Sequence, residues 1–338
     1  MSRRQPEAEI AVLGAGSWGT ALAIQCARAG RPTRLWGRDP ALMAQLAAER
    51  RNRRYLPDAV FPDGLRIEAG LARAVAGAAD VLVAVPSSGF RAQLQALAPL
   101  LRNGQRLCWA TKGFEIATGL LPHQVVREVF GAEHEVAVLS GPTFAREVGA
   151  GLPTAMTIAS NDERYAAALA HDISSTNFRA YTSTDIVGVE VGGAVKNVLA
   201  IGAALSDGLG YGANARIAMI SRGLVEMTRL GVALGARQET FMGLAGLGDL
   251  VLTCTDDQSR NRRFGLLLAR GQTVEGAQRE IGQVVEGYHA ARAVHAVAER
   301  EQVDMPIARA IYNVLYSGMP VVQVVRGLMD RPVRPEFD

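Results

Sequence analysis

EIAVLGAGSWGTALAIQCARAG, residues 9–30, sets a short apolar run, a glycine turn and a helix-forming stretch end to end. The run Glu9–Leu13 reads as a buried strand, and Gly30 closes the helix. Gly14 permits the tight turn, Gly16 lets a backbone approach a pyrophosphate, and Gly19 lets helix and strand pack closely. The helix N-terminus then faces the phosphates with free amides. A second strand, Pro32–Trp36, follows directly, so the glycine turn stands in the order that a dinucleotide site requires.

That second strand ends in Gly37-Arg38-Asp39, about twenty residues beyond the glycines, where an acid ordinarily holds the ribose hydroxyls of NAD. Arg38 stands there instead. A guanidinium suits the 2′-phosphate of NADP, while Asp39 keeps NAD open; the other reading of Arg38 is a solvated turn residue. Further apolar runs at Val81–Val85 and Arg106–Ala110 read as parallel strands, and a fifth run, Val136–Leu139, ends in a kinked turn at the same edge. Arg106–Ala110 leads into Thr111-Lys112-Gly113 and the fifth run into Ser140-Gly141-Pro142-Thr143. In such sheets ligands bind beyond the carboxyl ends of the strands, which singles out Lys112 and Thr143, although a surface lysine in a loop is the ordinary alternative. Pro153–Ala159 and Phe178–Tyr181 extend the sheet, with a helix at Glu163–Ala170 between them.

From Asp185 onward the pattern turns helical. Helix-period segments cover Gly188–Ala204, Ala213–Leu230, Asn261–Ala269, Val274–Ile281, Tyr288–Arg300 and Ile307–Tyr316. The fold class is therefore α/β, a Rossmann-type dinucleotide-binding domain over residues 1–184 followed by an all-α domain over residues 185–338, with the 188–204 segment joining them.

This joining segment, GVEVGGAVKNVLAIGAA, carries Lys196 amid almost wholly apolar neighbours. The chain has 36 Lys plus Arg, and only two of these are lysines, Lys112 and Lys196. Arg keeps its proton at any workable pH, whereas Lys can release one when desolvated or set beside another cation. Gly192, Gly193, Leu199 and Ala200 share its helix face and are mostly too small to cover it, so something else approaches the amine. The alternative is a buried ion-pair partner for an aspartate. Asp249, in the glycine-rich loop Gly243–Leu250, is the candidate partner; it also fits a helix N-cap. Ser259-Arg260-Asn261-Arg262-Arg263 opens a helix with capping residues and arginine forks, which together suit a phosphate. A solvated basic helix end is the bland reading.

Composition excludes several classes. Of the 338 residues 49% are hydrophobic, and the net charge is +3, too small for a polycation. Cys26, Cys108 and Cys254 are few and scattered, which argues against a disulfide framework or a zinc site and for a reducing compartment. The N-terminus has no apolar signal core, and Glu190 and Lys196 interrupt the best candidate span, so the expected location is cytoplasmic with no membrane insertion.

The motifs taken together resemble the bacterial-type NAD(P)-dependent sn-glycerol-3-phosphate dehydrogenases: GAGSWGTALA from Gly14, WATKG from Trp109, SGPTFAREV from Ser140, GGAVKNVLAIGAALSDG from Gly192, GLGDLVLTCT from Gly246, QSRNRRFG from Gln258 and GQVVEG from Gly282. The resemblance implies that Gly14, Gly16, Ser17, Trp18, Gly19, Arg38, Tyr55, Lys112, Ala145, Arg260, Val284 and Glu286 contact the cofactor, NADP(H) preferred and NAD(H) accepted. It implies that Lys112, Gly141, Thr143, Asp249, Ser259, Arg260 and Asn261 line the substrate site, with Lys196 as acid/base. The substrate pair would be dihydroxyacetone phosphate and sn-glycerol 3-phosphate, for glycerophospholipid synthesis, and the expected assembly is a homodimer with no metal. Two rivals stand beside this. A reductase of other 2-oxo or β-hydroxy acids would not need the SRNRR cluster. An RNA-binding protein would interleave stacking aromatics with its basic runs, and only Tyr55 and Phe264 adjoin them.

Overall fold

The computed structural model describes residues 8–131, 134–330, 332–333 and 335–336. They form two compact units, one up to Lys112 and from Pro122 to Ile186, the other comprising Gly113–Leu121 and the chain from Val187 onward. The short Gly113–Leu121 piece belongs with the helical unit because Phe114 and Leu121 are buried in its core.

In the first unit the described strands are β1 (Ile10–Leu13), β2 (Thr33–Trp36), β3 (Arg51–Asn52), β4 (Leu56–Val60), β5 (Leu65–Glu68), β6 (Asp80–Val83), β7 (Arg106–Trp109), β8 (Val136–Ser140), β9 (Thr154–Ser160) and β10 (Phe178–Ser183). Eight of them make one sheet in the order β10-β9-β8-β7-β6-β1-β2-β5, and β3 pairs with β4 in a separate hairpin. β1 is buried on both faces and parallel to both β2 and β6, which is why its sequence is continuously apolar rather than alternating. From β1 the chain builds outward through β2 to β5, then returns to β6 on the other side of β1. The carboxyl end of β1 is thus the switch point of the sheet, the place where open α/β sheets bind ligands.

The sheet departs from all-parallel at its far edge. β8 and β9 run antiparallel, because residues 141–153 hold only a turn and the short Ala145–Ala150 helix before the chain re-enters. The Glu163–Ile173 helix then carries it over to β10, parallel to β9. β5 (LRIE) escapes the sequence pattern: at the sheet edge, with exposed Arg66 between Leu65 and Ile67, it lacks the apolar run of a central strand.

The second unit is built around the Ile186–Gly208 helix, buried along nearly its whole length from Gly188 to Ser206. Among the described residues it is the one helix long and apolar enough to cross a membrane, and 89% of its apolar 18-residue window is buried inside the protein. Seven further α-helices among the described residues pack with it, at Gly212–Ala233, Asp249–Thr255, Arg260–Ala269, Val274–Ile281, Glu286–Arg300, Pro306–Tyr316 and Val321–Met329. Residues 243–250 are not the expected loop. Leu244–Gly248 forms one π-helical turn between a 3₁₀ turn and the Asp249–Thr255 helix. A side chain at Gly246 would strike the backbone of Phe241, and one at Gly192 the carbonyl of Ala245. The glycines serve close backbone packing here, and the local helix follows from it.

One carboxyl inside this unit couples the fold to pH. Glu226, 3% exposed, accepts hydrogen bonds from the amides of Ile307 (2.7 Å) and Ala308 (3.1 Å), and so caps the Pro306–Tyr316 helix, which has no side-chain cap of its own. Burial outweighs these amides and pushes its pKa up to about 7. Because the folded value lies above the unfolded one, the proton stabilises the fold fully below about pH 4.5, and the contribution is lost as pH rises through about 7. Glu226→Gln fixes the neutral form. Its stability relative to the parent should rise between pH 5 and pH 8, by up to about 3 kcal/mol, measured by denaturant unfolding at each pH; a difference independent of pH contradicts the assignment.

Candidate active site

In the first unit the glycine turn is shaped by its neighbours. Gly14 has φ of +124°, which favours glycine, and a side chain there would lie 2.5 Å from the Ala84 carbonyl oxygen that follows β6. At Gly19 a side chain would collide with the Gly14 carbonyl. Gly16 is different, since a Cβ there meets nothing within 4 Å. Gly16 is the N-cap of the Ser17–Arg28 helix and supplies no side-chain cap, so no cap side chain satisfies the first-turn amides. The indole Nε1 of Trp18 is buried and lacks a partner among the described residues. A cradle open at Gly16, an uncapped helix N-terminus and an orphaned donor are what a dinucleotide diphosphate fits.

Asn52, which sequence reasoning passed over, fastens the 49–55 basic run to this turn. Its buried amide donates to the Ala15 carbonyl (3.1 Å) and to Thr20 Oγ1 (2.8 Å), while its own oxygen accepts from the Tyr55 amide. Tyr55 is half-buried beneath the Arg54 guanidinium. Much of the basic run is structural: Arg50 donates to the carbonyls of Leu65 and Pro62, and Arg53 pairs with Glu49.

At the end of β2, Asp39 is the N-cap of the Pro40–Glu49 helix and accepts from the amides of Ala41 and Leu42. Arg38 is exposed and makes no hydrogen bond or ion pair with another described residue. The acid is thus engaged in the helix and the guanidinium is available. At the ends of β7 and β8 the structure brings three sequence-selected residues together: the Gly141 carbonyl accepts from Lys112 Nζ (3.3 Å) and from Thr143 Oγ1 (3.1 Å). Gly141 has φ of +149° and packs against Met156. Ala145 begins the short helix beyond.

In the second unit Lys196 is 7% exposed and Asp249 1% exposed. Lys196 Nζ donates to Asp249 Oδ1 (2.5 Å) and to Thr253 Oγ1 (3.0 Å), whose own hydroxyl donates to the Asp249 carbonyl (2.6 Å). The group that approaches the small face at Gly192 is therefore the π turn, which delivers Asp249 to the amine. Thr253 lies one helical turn after Asp249, a spacing visible in the sequence. Asn261 is no cap. Its amide nitrogen donates to Asn197 Oδ1 (2.9 Å) and its oxygen accepts from the Gly287 amide (2.8 Å). Ser259 does cap the Arg260–Ala269 helix, accepting from the Arg262 amide. Arg260 is half-buried, 3.5 Å from Gln283 Oε1. Val284 is exposed; Glu286 starts its helix and accepts at 3.5 Å from Asn197.

Family models of the NAD-dependent glycerol-3-phosphate dehydrogenases match residues 9–166 (the N-terminal model) and 185–326 (the C-terminal model). Over 330 residues the chain is 54% identical to glycerol-3-phosphate dehydrogenase [NAD(P)+] of Tolumonas auensis, covering 97% of this chain and 98% of that one. It is 55% identical to the protein of that name from Yersinia pestis, covering 97% of each. A crystal structure of glycerol-3-phosphate dehydrogenase from Coxiella burnetii superposes with a TM-score of 0.93 at 44% identity, over 97% of this chain and all of that one.

The buried pair makes a stability prediction independent of chemistry. Asp249→Leu leaves an ammonium buried without its carboxylate and should cost about 3–5 kcal/mol. Adding Lys196→Met should recover most of that loss in urea unfolding. A single variant within about 1 kcal/mol of the parent contradicts the pairing.

Proposed function

The chain belongs to the NAD-dependent glycerol-3-phosphate dehydrogenase family, and from that premise we propose that it interconverts dihydroxyacetone phosphate and sn-glycerol 3-phosphate with a nicotinamide dinucleotide, in the cytoplasm, as a homodimer, for glycerophospholipid synthesis. The observation that carries the reading is the Lys196–Asp249–Thr253 constellation, a lysine on a buried helix in an arginine-rich protein. When bound, the dinucleotide supplies or accepts the hydride at C2 of the substrate.

The protein's own residues do the remainder. The uncapped helix start at Gly16–Ser17 receives the diphosphate, and Arg38 offers the 2′-phosphate a charge-assisted partner. The Lys196 ammonium gives a proton to the carbonyl oxygen as negative charge develops there, and in the oxidative direction the neutral amine removes it from the hydroxyl. Asp249 and Thr253 fix the amine by hydrogen bonds, so little reorganisation remains for the reaction. Arg260 and the free amides of the Ser259–Asn261 helix start grip the substrate phosphate, remote from the reacting carbon, and that binding energy orients the carbonyl. In the first unit Lys112, held at the Gly141 carbonyl beside Thr143, offers a cation of its own to an anionic ligand.

Following nicotinamide absorbance with dihydroxyacetone phosphate and each cofactor tests the activity directly; no oxidation with any combination overturns it. Lys196→Arg keeps the charge but hardly releases a proton, and its planar fork does not fit beside the π turn. Activity should fall by roughly 10²–10⁴-fold while cofactor binding persists. Near-normal turnover would leave Lys196 a structural ion-pair partner only. Arg38→Ala should weaken NADPH by about 1.5–3 kcal/mol and NADH little; equal losses in titrations with the two cofactors contradict the 2′-phosphate contact.

A further inference from the structure

Arg262 lies within the same basic run as Arg260 but points the other way. It is 8% exposed, and its guanidinium ties together three segments of the second unit. Nη1 donates to Asp207 Oδ2 (2.5 Å) at the end of the Ile186–Gly208 helix, and to the Cys254 carbonyl (3.1 Å) in the helix that holds Asp249 and Thr253. Nε donates to Asp257 (2.9 Å) in the loop just before Ser259. Its own amide is the one that Ser259 caps. Arg216 adds a second guanidinium to Asp207 at 3.0 Å, so two carboxylates and two guanidiniums balance locally.

We infer that Arg262, held by Asp207, is a positioning residue for the Ser259–Arg260–Asn261 phosphate grip. The inference rests on the reading of that segment given above. Arg260 is the only partly exposed arginine of the helix start whose one described contact, at 3.5 Å, is with a neutral amide; its fork is placed by backbone, and Arg262 pins that backbone from the buried side. Lysine cannot replace it, because one ammonium on a flexible stem does not span Asp207, Asp257 and a carbonyl at once. A charge that merely stabilised the fold would leave phosphate recognition and turnover of a phosphate-free ketone affected alike. A positioning role separates them, since only the phosphate ester uses the grip.

The experiment compares Arg262→Lys, Asp207→Asn and Asp257→Asn with Arg260→Ala, using dihydroxyacetone phosphate, dihydroxyacetone and inorganic phosphate as a competitive inhibitor, with NADPH binding and thermal unfolding recorded for each. The expected result for Arg262→Lys is about a tenfold rise in KM for the phosphate ester and a similar weakening of inorganic phosphate. kcat/KM for dihydroxyacetone should stay within about twofold, and NADPH affinity should fall no further than it does in Arg260→Ala. In the Arg260→Ala background Arg262→Lys should add nothing further. Should Arg262→Lys not fold, Asp257→Asn, which removes one exposed partner, should give the same pattern at about two- to threefold. If Arg260→Ala discriminates the two ketones and no variant around Arg262 does, the positioning inference is overturned. If Arg260→Ala itself fails to discriminate them, the phosphate grip is misassigned and the inference falls with it.

Discussion

One ammonium–carboxylate pair, Lys196 with Asp249, sits where two helical segments meet backbone to backbone. Burying such a pair costs several kcal/mol of solvation for each ion, and attraction repays this only with good geometry and further hydrogen bonds. The protein meets that condition by removing side chains. Gly192 on the central helix admits the Ala245 carbonyl, Gly246 admits the Phe241 backbone, and the π turn between them delivers Asp249 to within 2.5 Å of the amine. A methyl group at either glycine would push the carboxylate away. Thr253, one turn further, adds the third polar group. The small residues along GGAVK and GLGD are thus the packing condition for a charge.

The two proposed anion sites are built differently. At Gly16 the helix start is bare, with no side-chain cap and open space above the glycine, so backbone amides and the helix dipole carry the attraction. At Ser259 the start is already capped, Asn261 is spent on Asn197 and Gly287, and Arg262 is spent on two aspartates. In the proposed reading, recognition there falls to Arg260 and to the remaining amides. A diphosphate approached closely by backbone needs glycine, whereas a single terminal phosphate is better held by a fork at the end of a side chain.

How much of this the sequence disclosed follows from how local each signal is. The strand, glycine turn and helix of residues 9–30 are set by neighbours in the chain, and so was the helical character after Asp185. The Lys196–Asp249 partnership could be anticipated because an isolated acid among small residues needs a cation. What stayed hidden depends on tertiary contacts. Residues 243–250 look like a loop because glycines usually mark loops, but here they mark close packing. β5 is an edge strand with an alternating pattern too short to notice. The roles of Asn52, Asn197 and Arg262 lie in bonds reaching 32, 64 and 55 residues along the chain, which no spacing rule exposes.

The central claim is that Lys196 moves a proton as well as balancing Asp249. Chemical rescue addresses it: Lys196→Ala enzyme, saturated with cofactor and dihydroxyacetone phosphate, is given primary alkylammonium ions of graded basicity while nicotinamide absorbance is followed. Turnover should rise in proportion to added amine, with a rate that depends on amine basicity, and tetramethylammonium, which has no proton to give, should restore nothing. Equal rescue by tetramethylammonium, or an unassisted Lys196→Ala enzyme that already turns over at the parent rate, would contradict the claim.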